Sequence, residues 1–258
     1  MLFLSDKPEI SESHAASVKV WPIRKDMLMP LLKFHDVDIC GSQELREPQL
    51  EYLFPDKIYA YVDDGKAENL WARNCIIYRK SRFEVLESGK FWLVRGGRDK
   101  HGKSARYCQW AKFKDLRSGA EFYHFNLHNE HRNMPDRRLE AANVVLENIA
   151  QIAKGKPAFL TGDFNATEEN PEMQPLLNSE LLSEAKKVSA TPPYGPATCG
   201  CFKYERGPVD LKGSPIDFIF CPKTAKVESF GVLTDNVGGV YPSDHFPILA
   251  RVVLPAGK

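Results

Sequence analysis

The stretch Leu160-Thr161-Gly162-Asp163-Phe164-Asn165-Ala166 guides the interpretation of the whole chain. With Ala158 and Phe159 before it, the stretch reads as a buried strand that enters a tight turn at Gly162. The turn presents a carboxylate, Asp163, and a carboxamide, Asn165, and side chains at i and i+2 of an extended segment point the same way. A carboxylate can orient a water or hold a cation, and an amide can hydrogen-bond an oxyanion without adding negative charge. The stretch therefore indicates phosphoryl chemistry, with an ordinary Asx turn at a strand end as the alternative.

The composition is that of an ordinary globular protein, with 258 residues, 43% hydrophobic residues, 27% charged residues and a formal net charge of +1. We expect one domain over residues 1–258. The near-neutral charge argues against strong electrostatic binding of long DNA or RNA, although it leaves room for a local basic patch. No run of about 18 apolar residues exists, so no transmembrane helix is predicted, and no obligate protein partner is evident. The N-terminus lacks the basic start of a signal peptide, so we expect a cytoplasmic protein, with an exported precursor as the alternative if the true start lies upstream.

The hydrophobic periodicity predicts many short strands and few helices. We expect helices over residues 24–35, 48–54, 137–154 and around 175–182, and strands over residues 37–41, 58–62, 75–78, 107–114, 121–127, 158–160, 216–220, 227–233 and 248–253. Residues 83–94 indicate a further strand pair or one long ribbon, residues 2–4 a short strand, and residues 11–17 and most of 166–215 loops. Strand hairpins mixed with a few helices favour an α+β fold in which two sheets pack together with helices outside.

Polar residues recur at the ends of the predicted strands. They are Glu44, Asn126, His128, Asp163, Asn165, Asp217, Asp244 and His245. Each has an ordinary explanation by itself, such as a surface glutamate or a capped turn, but in a layered sandwich these strand ends can meet at one rim. Carboxylates and amides suit Mg²⁺ or Mn²⁺, which take oxygen ligands, and histidines suit phosphate binding and proton transfer.

The chain contains five short polar motifs, which are Gln43-Glu44, Asn126-Leu127-His128, Gly162-Asp163-Phe164-Asn165, Ile216-Asp217-Phe218-Ile219 and Ser243-Asp244-His245. These motifs and their order resemble the endonuclease/exonuclease/phosphatase superfamily, which has the fold of deoxyribonuclease I. The resemblance covers about residues 21–253. The chain is most similar to bacterial members with Trp-x-x-Arg-Lys near the start, an Asp-Asp-Gly loop and Phe-Trp-Leu, here 21–25, 63–65 and 91–93. The resemblance implies a four-layer α/β/β/α sandwich with two mostly antiparallel sheets.

The resemblance also implies metal-dependent hydrolysis of a phosphoester, whether a small molecule, a nucleotide or a nucleic acid. In that case Glu44 holds the Mg²⁺ or Mn²⁺ ion, and Asp244 completes the metal side. Asp163 orients the attacking water, and Asn165 and His128 bind the non-bridging phosphate oxygens. His245, held by Asp217, stabilises or protonates the phosphoryl group. Three further residues are expected to contact substrate, namely Asn126, His131 and Arg138.

The chain departs from the family pattern at three places. The family's first strand usually ends in an Asn that helps to bind metal, whereas Leu2-Phe3-Leu4 carries none. The close bacterial relatives read Asn-Thr-His-Leu-Asp-His where this chain has Asn-Leu-His-Asn-Glu-His at 126–131. Relatives also carry a Glu before the strand at 75–78 that supports the first His. By spacing, Ala72 stands there, with Glu68 or Asn74 as substitutes only if the loop shifts.

These departures keep a second hypothesis open, a binding module of the same fold with a degenerate site and little or no turnover. A third hypothesis, a zinc protein built on Cys199-Gly200-Cys201, lacks a second ligand pair at suitable spacing.

Overall fold

The computed structural model describes residues 12–63, 73–97, 106–131, 133–195, 214–238 and 240–254. In residues 12–20 and 23 the description covers the backbone alone. The helices are α1 Glu12–Phe34, α2 Glu47–Leu53, α3 Pro135–Ala153 and α4 Gln174–Leu177, the last preceded by a 3-10 turn at Pro171–Met173. The strands are β1 Ile39–Gly41, β2 Tyr59–Val62, β3 Ile76–Arg79, β4 Phe83–Trp92, β5 Tyr107–Asp115, β6 Glu121–His128, β7 Ala158–Asp163, β8 Leu182–Glu184, β9 Asp217–Pro222, β10 Lys226–Val232 and β11 Ile248–Val253.

The largest sheet has six strands in the order β4-β5-β6-β7-β9-β8. Only β6 and β7 pair in parallel, because α3 connects them as a crossover; every other pair in this sheet is antiparallel. The opposite sheet is present in two pieces among the described residues, a three-stranded sheet β1-β3-β2 and a two-stranded sheet β10-β11. The prediction of an α+β fold with two mostly antiparallel sheets is therefore confirmed.

Three apolar layers hold the sandwich together. The buried residues of α3, among them Val145 and Ile149, pack on one face of the six-stranded sheet. The other face packs against the short sheets through clusters that include Phe113 and Phe122 near β3 and a separate cluster near β10. The residues of α1 and α2 cover the outer side of β1-β3-β2. This gives the expected order of helix, sheet, sheet and helix.

Helix α3 begins and ends where its sequence dictates. Pro135 stands in the first turn, where its missing N–H costs nothing, and Asp136 complements the positive end of the helix dipole. At the other end Lys154 adopts a left-handed conformation with φ 49°, and Gly155 follows with φ 81°. The short link to Ala158 then sets β7 beside β6, which aligns the ends of these two strands.

The structure corrects two predicted elements and decides between the two alternatives for a third. Helix α1 begins at Glu12, although residues 11–17 are polar and were expected to form a loop. Residues 83–92 form one strand with a register shift between Val85 and Glu87, which matches the alternative of one long ribbon and not that of a strand pair. The segment expected to be a helix around 175–182 is shorter and is followed by β8, which pairs with β9. The predicted strand Leu2-Phe3-Leu4 lies outside the described residues. No described helix combines the length and apolar character needed to cross a membrane.

Asn126 joins the two sheets at the centre of the sandwich. Its Oδ1 accepts hydrogen bonds from Gln43 Nε2 at 2.7 Å and from Thr161 Oγ1 at 3.1 Å. Its Nδ2 donates to the carbonyl oxygens of Ser42 at 2.9 Å and Cys75 at 3.1 Å. The side chain is fully buried, so this network fixes the distance between β1 and β6.

Gly41 is required for this close approach. A Cβ at Gly41 would lie 2.1 Å from Thr161 Oγ1 and 2.3 Å from Asn126 Oδ1, closer than real contacts allow. We expect Gly41→Ala to lower the free energy of unfolding by about 2 kcal/mol, because a well-packed core must move to accept a methyl group. Urea denaturation measures the change.

The matched control is Gly231→Ala, another strand glycine, where the nearest atom to the added Cβ is 3.6 Å away. We expect this control to stay within about 0.5 kcal/mol of the unchanged protein. Equal stability of the two variants would contradict the proposed close contact between the sheets.

Candidate active site

Three neighbouring strands end in register with a titratable side chain on each. In the pairing of β6 with β7, His128 stands opposite Asp163, and in the pairing of β7 with β9, Asp163 stands opposite Asp217. Side chains alternate along a strand, and Phe122 and Phe159 on the same strands face the short sheets. His128 and Asp163 follow at even spacings, so they point into the space between the sheets. The strand pairing alone thus brings an imidazole and two carboxylates together.

His245 completes this group from the turn before β11. Its Nδ1 lies 2.7 Å from Asp217 Oδ2, and its backbone N–H donates to Ser243 Oγ at 3.1 Å. One ligand atom each of Asp163, Asp217 and His245 lies within 4.8 Å of the others. A carboxylate beside Nδ1 favours the imidazolium form and fixes the ring, which leaves Nε2 as the group that can meet a substrate.

The turn after β7 fixes both Asp163 and Asn165. The backbone N–H of Asn165 donates to Asp163 Oδ1 at 2.8 Å, and Asn165 adopts a left-handed conformation with φ 51°. Asn165 Nδ2 donates to the carbonyl oxygen of Asn129 at 3.2 Å. This is the Asx turn considered from the sequence, and it lies inside the cluster of polar groups. The two readings of the stretch are therefore compatible.

Glu44 faces the same space from the end of β1. It has a positive φ of 62° and is largely buried. Its Oε1 lies 3.5 Å from His128 Nδ1, and its buried Oε2 has no hydrogen-bond partner among the residues that the structure describes. Burial, and next the nearby Asp244 carboxylate, raise the pKa of Glu44 to about 7. A buried carboxylate oxygen with no proton donor, close to a second carboxylate, is the arrangement that a cation stabilises.

Burial also shifts the pKa values of the central residues. Burial and then the Asp217 carboxylate raise the pKa of Asp163 to about 7. Burial, followed by the positive charge of Arg106, holds the pKa of His128 well below its usual value, so its ring is neutral. His128 Nε2 lies 3.5 Å from Asp163 Oδ2. Shifts of this size in a cluster are typical of functional sites.

Arg106 is the site residue that the sequence reasoning missed. Its Nη1 lies 3.3 Å from His128 Nδ1 and its Nη2 lies 3.2 Å from His131 Nδ1. It stands immediately before β5, at the end of a charged stretch in which nothing distinguishes one basic residue from the next. Only the position of the following strand beside β6 brings its guanidinium to the site.

The three residues expected to bind substrate lie in different surroundings. Asn126 uses its whole amide between the sheets and has no free atom for a substrate. Arg138 forms an ion pair with Glu172 at 2.7 Å, which ties α3 to the 3-10 turn. His131 has 60% of its side chain exposed and stands 3.3 Å from Glu130 Oε1 as well as beside Arg106. Of the three, His131 is the one placed at the rim of the site with an accessible ring.

Of the residues considered as substitutes for the supporting glutamate, the structure describes only Asn74. Asn74 bonds to Tyr107 through its backbone N–H and its Nδ2, so it does not support His128. Glu68 and Ala72 lie outside the described residues, as do Cys199 and Cys201. Within the described part of the chain, the groups within 3.5 Å of His128 Nδ1 are Arg106 and Glu44.

Two sets of residues are therefore able to hold a divalent cation. The first is Glu44 with Asp244, where the Asp244 carboxylate is near enough to raise the pKa of the buried Glu44 carboxyl group. The second is Asp163 with Asp217 and His245, whose ligand atoms converge. In the second set His245 Nδ1 is already engaged by Asp217, so the first set fits a resident cation better.

Comparison with known proteins places this fold and these motifs in one family. The family model described as the Endonuclease/Exonuclease/phosphatase family matches residues 18–245. A mannosyl-6-phosphatase of Bacteroides thetaiotaomicron is 29% identical with a TM-score of 0.83, covering 95% of this chain and 96% of that one. An endonuclease/exonuclease/phosphatase of Bacteroides vulgatus is 29% identical with a TM-score of 0.80, covering 91% and 92%. The human Nocturnin catalytic domain, 20% identical with a TM-score of 0.67 over 92% and 89%, shares the fold. A comparison with curated protein sequences gives no significant match.

The buried Glu44 carboxylate makes the stability of the metal-free protein depend on pH. Because its pKa is about 7 in the folded state and ordinary in the unfolded chain, the folded state binds more protons between pH 4.5 and 7. The free energy of unfolding therefore falls as pH rises through this window. We expect Glu44→Gln to raise the free energy of unfolding by about 2 kcal/mol at pH 8, where the unchanged protein buries an ionised carboxylate at this position. Chemical denaturation at pH 5 and pH 8 measures this.

The matched control is Glu180→Gln, because 96% of the Glu180 side chain is exposed. We expect this variant to leave the free energy of unfolding unchanged at both pH 5 and pH 8. Addition of Mg²⁺ should stabilise the unchanged protein and not Glu44→Gln. Because the pKa of Asp163 is also raised to about 7, part of the pH dependence should remain in Glu44→Gln. A variant that keeps the full pH dependence of the unchanged protein would show that Glu44 does not titrate in this window.

Proposed function

The chain belongs to the endonuclease/exonuclease/phosphatase family, and from this we propose that it hydrolyses a phosphoester by attack of water on phosphorus, with Mg²⁺ or Mn²⁺ as cofactor. The observation that carries the proposal is the in-register ending of β6, β7 and β9 with His128, Asp163 and Asp217. Their meeting with His245 supplies a base, a charged donor and an orienting carboxylate within one buried cleft. Phosphoryl transfer needs an aligned nucleophile and neutralisation of charge, and these groups supply both.

Asp163 is the proposed general base. Its Oδ1 is engaged by the backbone N–H of Asn165, so Oδ2 faces the cleft and can accept the proton of an attacking water. A pKa near 7 suits this role, because a base is most effective when its pKa lies near the working pH. Asn165 lies beside it and can donate its remaining amide hydrogen to a non-bridging phosphate oxygen.

His245 is the proposed donor to the phosphoryl group. With Nδ1 held by Asp217 at 2.7 Å, an imidazolium presents Nε2–H to the phosphate or to the leaving oxygen. His128 and Arg106 stand on the other side of Asp163. The guanidinium adds a permanent positive charge that suits a phosphate dianion. We therefore add Arg106 to the residues proposed to contact substrate.

Glu44 and Asp244 are the residues proposed to hold the divalent ion, which would neutralise developing charge on the phosphoryl oxygens when bound. The support for this assignment is the unpartnered Oε2 of Glu44 and the raised pKa of its carboxyl group. Both Mg²⁺ and Mn²⁺ suit these two carboxylates, because both ions take oxygen ligands.

A small phosphoester is the substrate class that we favour. A relative that is 29% identical over nearly the whole chain is a mannosyl-6-phosphatase, which favours a phosphorylated sugar or a molecule of similar size. The net charge of +1 supports the same choice, since binding of long nucleic acid usually relies on a clearly basic face. A nucleotide remains within this class.

The second candidate function is binding without turnover. The observation that favours it is that His128 Nδ1 lies 3.3 Å from the Arg106 guanidinium as well as 3.5 Å from Glu44 Oε1. Burial, and next the positive charge of Arg106, lower the pKa of His128. Such a site would bind a phosphorylated ligand through the same positive charges and release it unchanged.

A hydrolysis panel separates the two functions. It contains a chromogenic monoester, a chromogenic diester, a hexose 6-phosphate, mononucleotides and short oligonucleotides, each with Mg²⁺, Mn²⁺ or chelator. We expect turnover of small monoesters that chelator abolishes, and a loss of about a thousand-fold in kcat for both Asp163→Asn and His245→Ala. The control is His35→Ala, which removes the exposed His35–Asp235 pair at 3.0 Å and should leave kcat unchanged. Tight binding of the same compounds with no turnover would favour the binding module.

Asp217 acts through His245, so its removal should affect the chemical step. We expect Asp217→Asn to lower kcat about a hundred-fold with KM changed less than about three-fold, since an amide cannot stabilise the imidazolium. Asp235→Asn, in the corresponding surface pair, is the matched control. A rise in KM at constant kcat for Asp217→Asn would assign Asp217 to substrate binding instead.

A further inference from the structure

Two loops flank the space in which the proposed substrate phosphate would lie. Strands β6 and β7 pair in parallel, so the chain leaves both strands at the same edge of the sheet. The β6 loop, residues 129–131, carries His131 at the rim, and the β7 loop, residues 164–170, carries Asn165. Neither loop belongs to a helix or a strand, so contacts outside the sheet ladder must fix their positions.

A short chain of hydrogen bonds connects the two loops at Asn165. Asn165 Nδ2 donates to the carbonyl oxygen of Asn129 at 3.2 Å, which leaves the second hydrogen of this amide for a phosphate oxygen. The Asn129 N–H donates to the carbonyl oxygen of Asp163 at 2.8 Å, and the Glu130 N–H donates to Asn129 Oδ1 at 2.8 Å. The direction of the second Asn165 hydrogen therefore depends on where the β6 loop holds the Asn129 carbonyl group.

The guanidinium of Arg138 reaches the β6 loop from the first turn of α3. Its Nη1 donates to the carbonyl oxygen of Glu130 at 3.4 Å. Its Nε donates to Glu172 Oε1 at 2.8 Å, and its Nη2 lies 2.7 Å from the same oxygen. Only 11% of the Arg138 side chain and 5% of the Glu172 side chain are exposed. Water and salt therefore weaken this ion pair much less than a pair at the surface.

Glu172 connects the same guanidinium to the β7 loop, because it stands in the 3-10 turn that directly follows this loop. Asn170 Oδ1 accepts hydrogen bonds from the Thr167 N–H at 2.7 Å and from Thr167 Oγ1 at 3.2 Å. The Met173 N–H donates to the carbonyl oxygen of Asn170 at 3.0 Å. The β7 loop and the 3-10 turn are thus held together, and Arg138 joins them to the β6 loop.

We propose that Arg138 is a positioning residue, which fixes the two loops against each other and so holds the Asn165 amide in the direction that suits a phosphate oxygen. The inference rests on the proposed function, in which Asn165 donates to that oxygen. Arg138 acts through Asn165 and does not contact the substrate, since its guanidinium is directed at Glu172 and at the Glu130 carbonyl group. This role differs from the substrate contact that the sequence analysis expects.

Variants of the ion pair separate positioning from direct contact with the substrate. Arg138→Gln and Glu172→Gln each break the bridge, and Arg138→Lys keeps the charge on a single nitrogen that cannot reach both partners. We expect each variant to lower kcat for a chromogenic phosphate monoester about ten-fold or more, with KM changed less than about three-fold. The effect falls on kcat because the hydrogen bond from Asn165 strengthens as charge develops in the transition state.

The double variant Arg138→Gln with Glu172→Gln should lose no more activity than the worse single variant, because both changes break one bridge. The matched control is Glu147→Gln, which breaks the exposed pair of Arg95 with Glu147 at 2.6 Å, also on α3, and should leave kcat unchanged. If Arg138 binds the substrate phosphate itself, Glu172→Gln should keep the original kcat, Arg138→Lys should keep most of the activity, and Arg138→Gln should raise KM. That pattern would overturn the proposal.

NMR of the Asn165 side-chain amide provides a second measurement that requires neither substrate nor turnover. We expect Arg138→Gln and Glu172→Gln to shift its two proton signals and to speed their exchange with solvent by about ten-fold. Glu147→Gln should do neither. Urea denaturation shows that each variant is folded under these conditions, and Arg138→Lys replaces Arg138→Gln if the latter does not fold.

A pair that only stabilises the fold would lower the free energy of unfolding in the variants and leave the Asn165 signals unchanged, which would overturn the proposal. If the unchanged protein shows no turnover, the proposed function fails by itself. The Asn165 signals then still decide whether Arg138 positions this amide.

Discussion

The fully buried amide of Asn126 is the interaction on which the site depends. It contacts Gln43, Ser42 and Cys75 on one side of the sandwich and Thr161 on the other. A buried amide must satisfy all its donors and acceptors, so this network permits one spacing of the sheets and one register. That register places Glu44, which follows Gln43, opposite His128, which lies two residues beyond Asn126. Asn126, which the sequence analysis predicts to bind substrate, therefore fixes the relative positions of Glu44 and His128.

Buried negative charge is the second constraint on this site. Glu44, Asp163 and Asp217 enter a space from which most water is excluded, and unpaired carboxylates there are costly. The chain offsets part of this cost with His245 beside Asp217 and with Arg106 near Glu44. The cost of burial that is not offset raises the pKa values of Glu44 and Asp163. A site that carries uncompensated charge when empty is selective for ligands that bring positive charge or protons with them.

The strand pattern and the motifs predicted much of this protein. Local sequence determines where β6, β7 and β9 end, and the family order of motifs determines that those ends meet. Arg106 could not be predicted, because its role arises from strand pairing across the sheet and not from its neighbours in sequence. The extent of α1 was underestimated for a related reason, since residues 11–17 carry no apolar stripe from which a helix could be predicted. The ion pair of Arg138 with Glu172 could not be predicted either, because the two residues lie 34 positions apart in the sequence.

The position of β9 beside β7 has a consequence for how the molecule folds. Asp163 and Asp217 are neighbours in the sheet, yet about 50 residues separate them along the chain, and closing a segment of that length costs conformational entropy before any contact repays it. The hairpin β5-β6 and helix α3 rest on local contacts and can form early. The pairing of Asp163 with Asp217 cannot, because it exists only after these distant strands have come together. A partly folded chain can thus hold most of its secondary structure and still be chemically inert, and the onset of activity marks the last stage of folding.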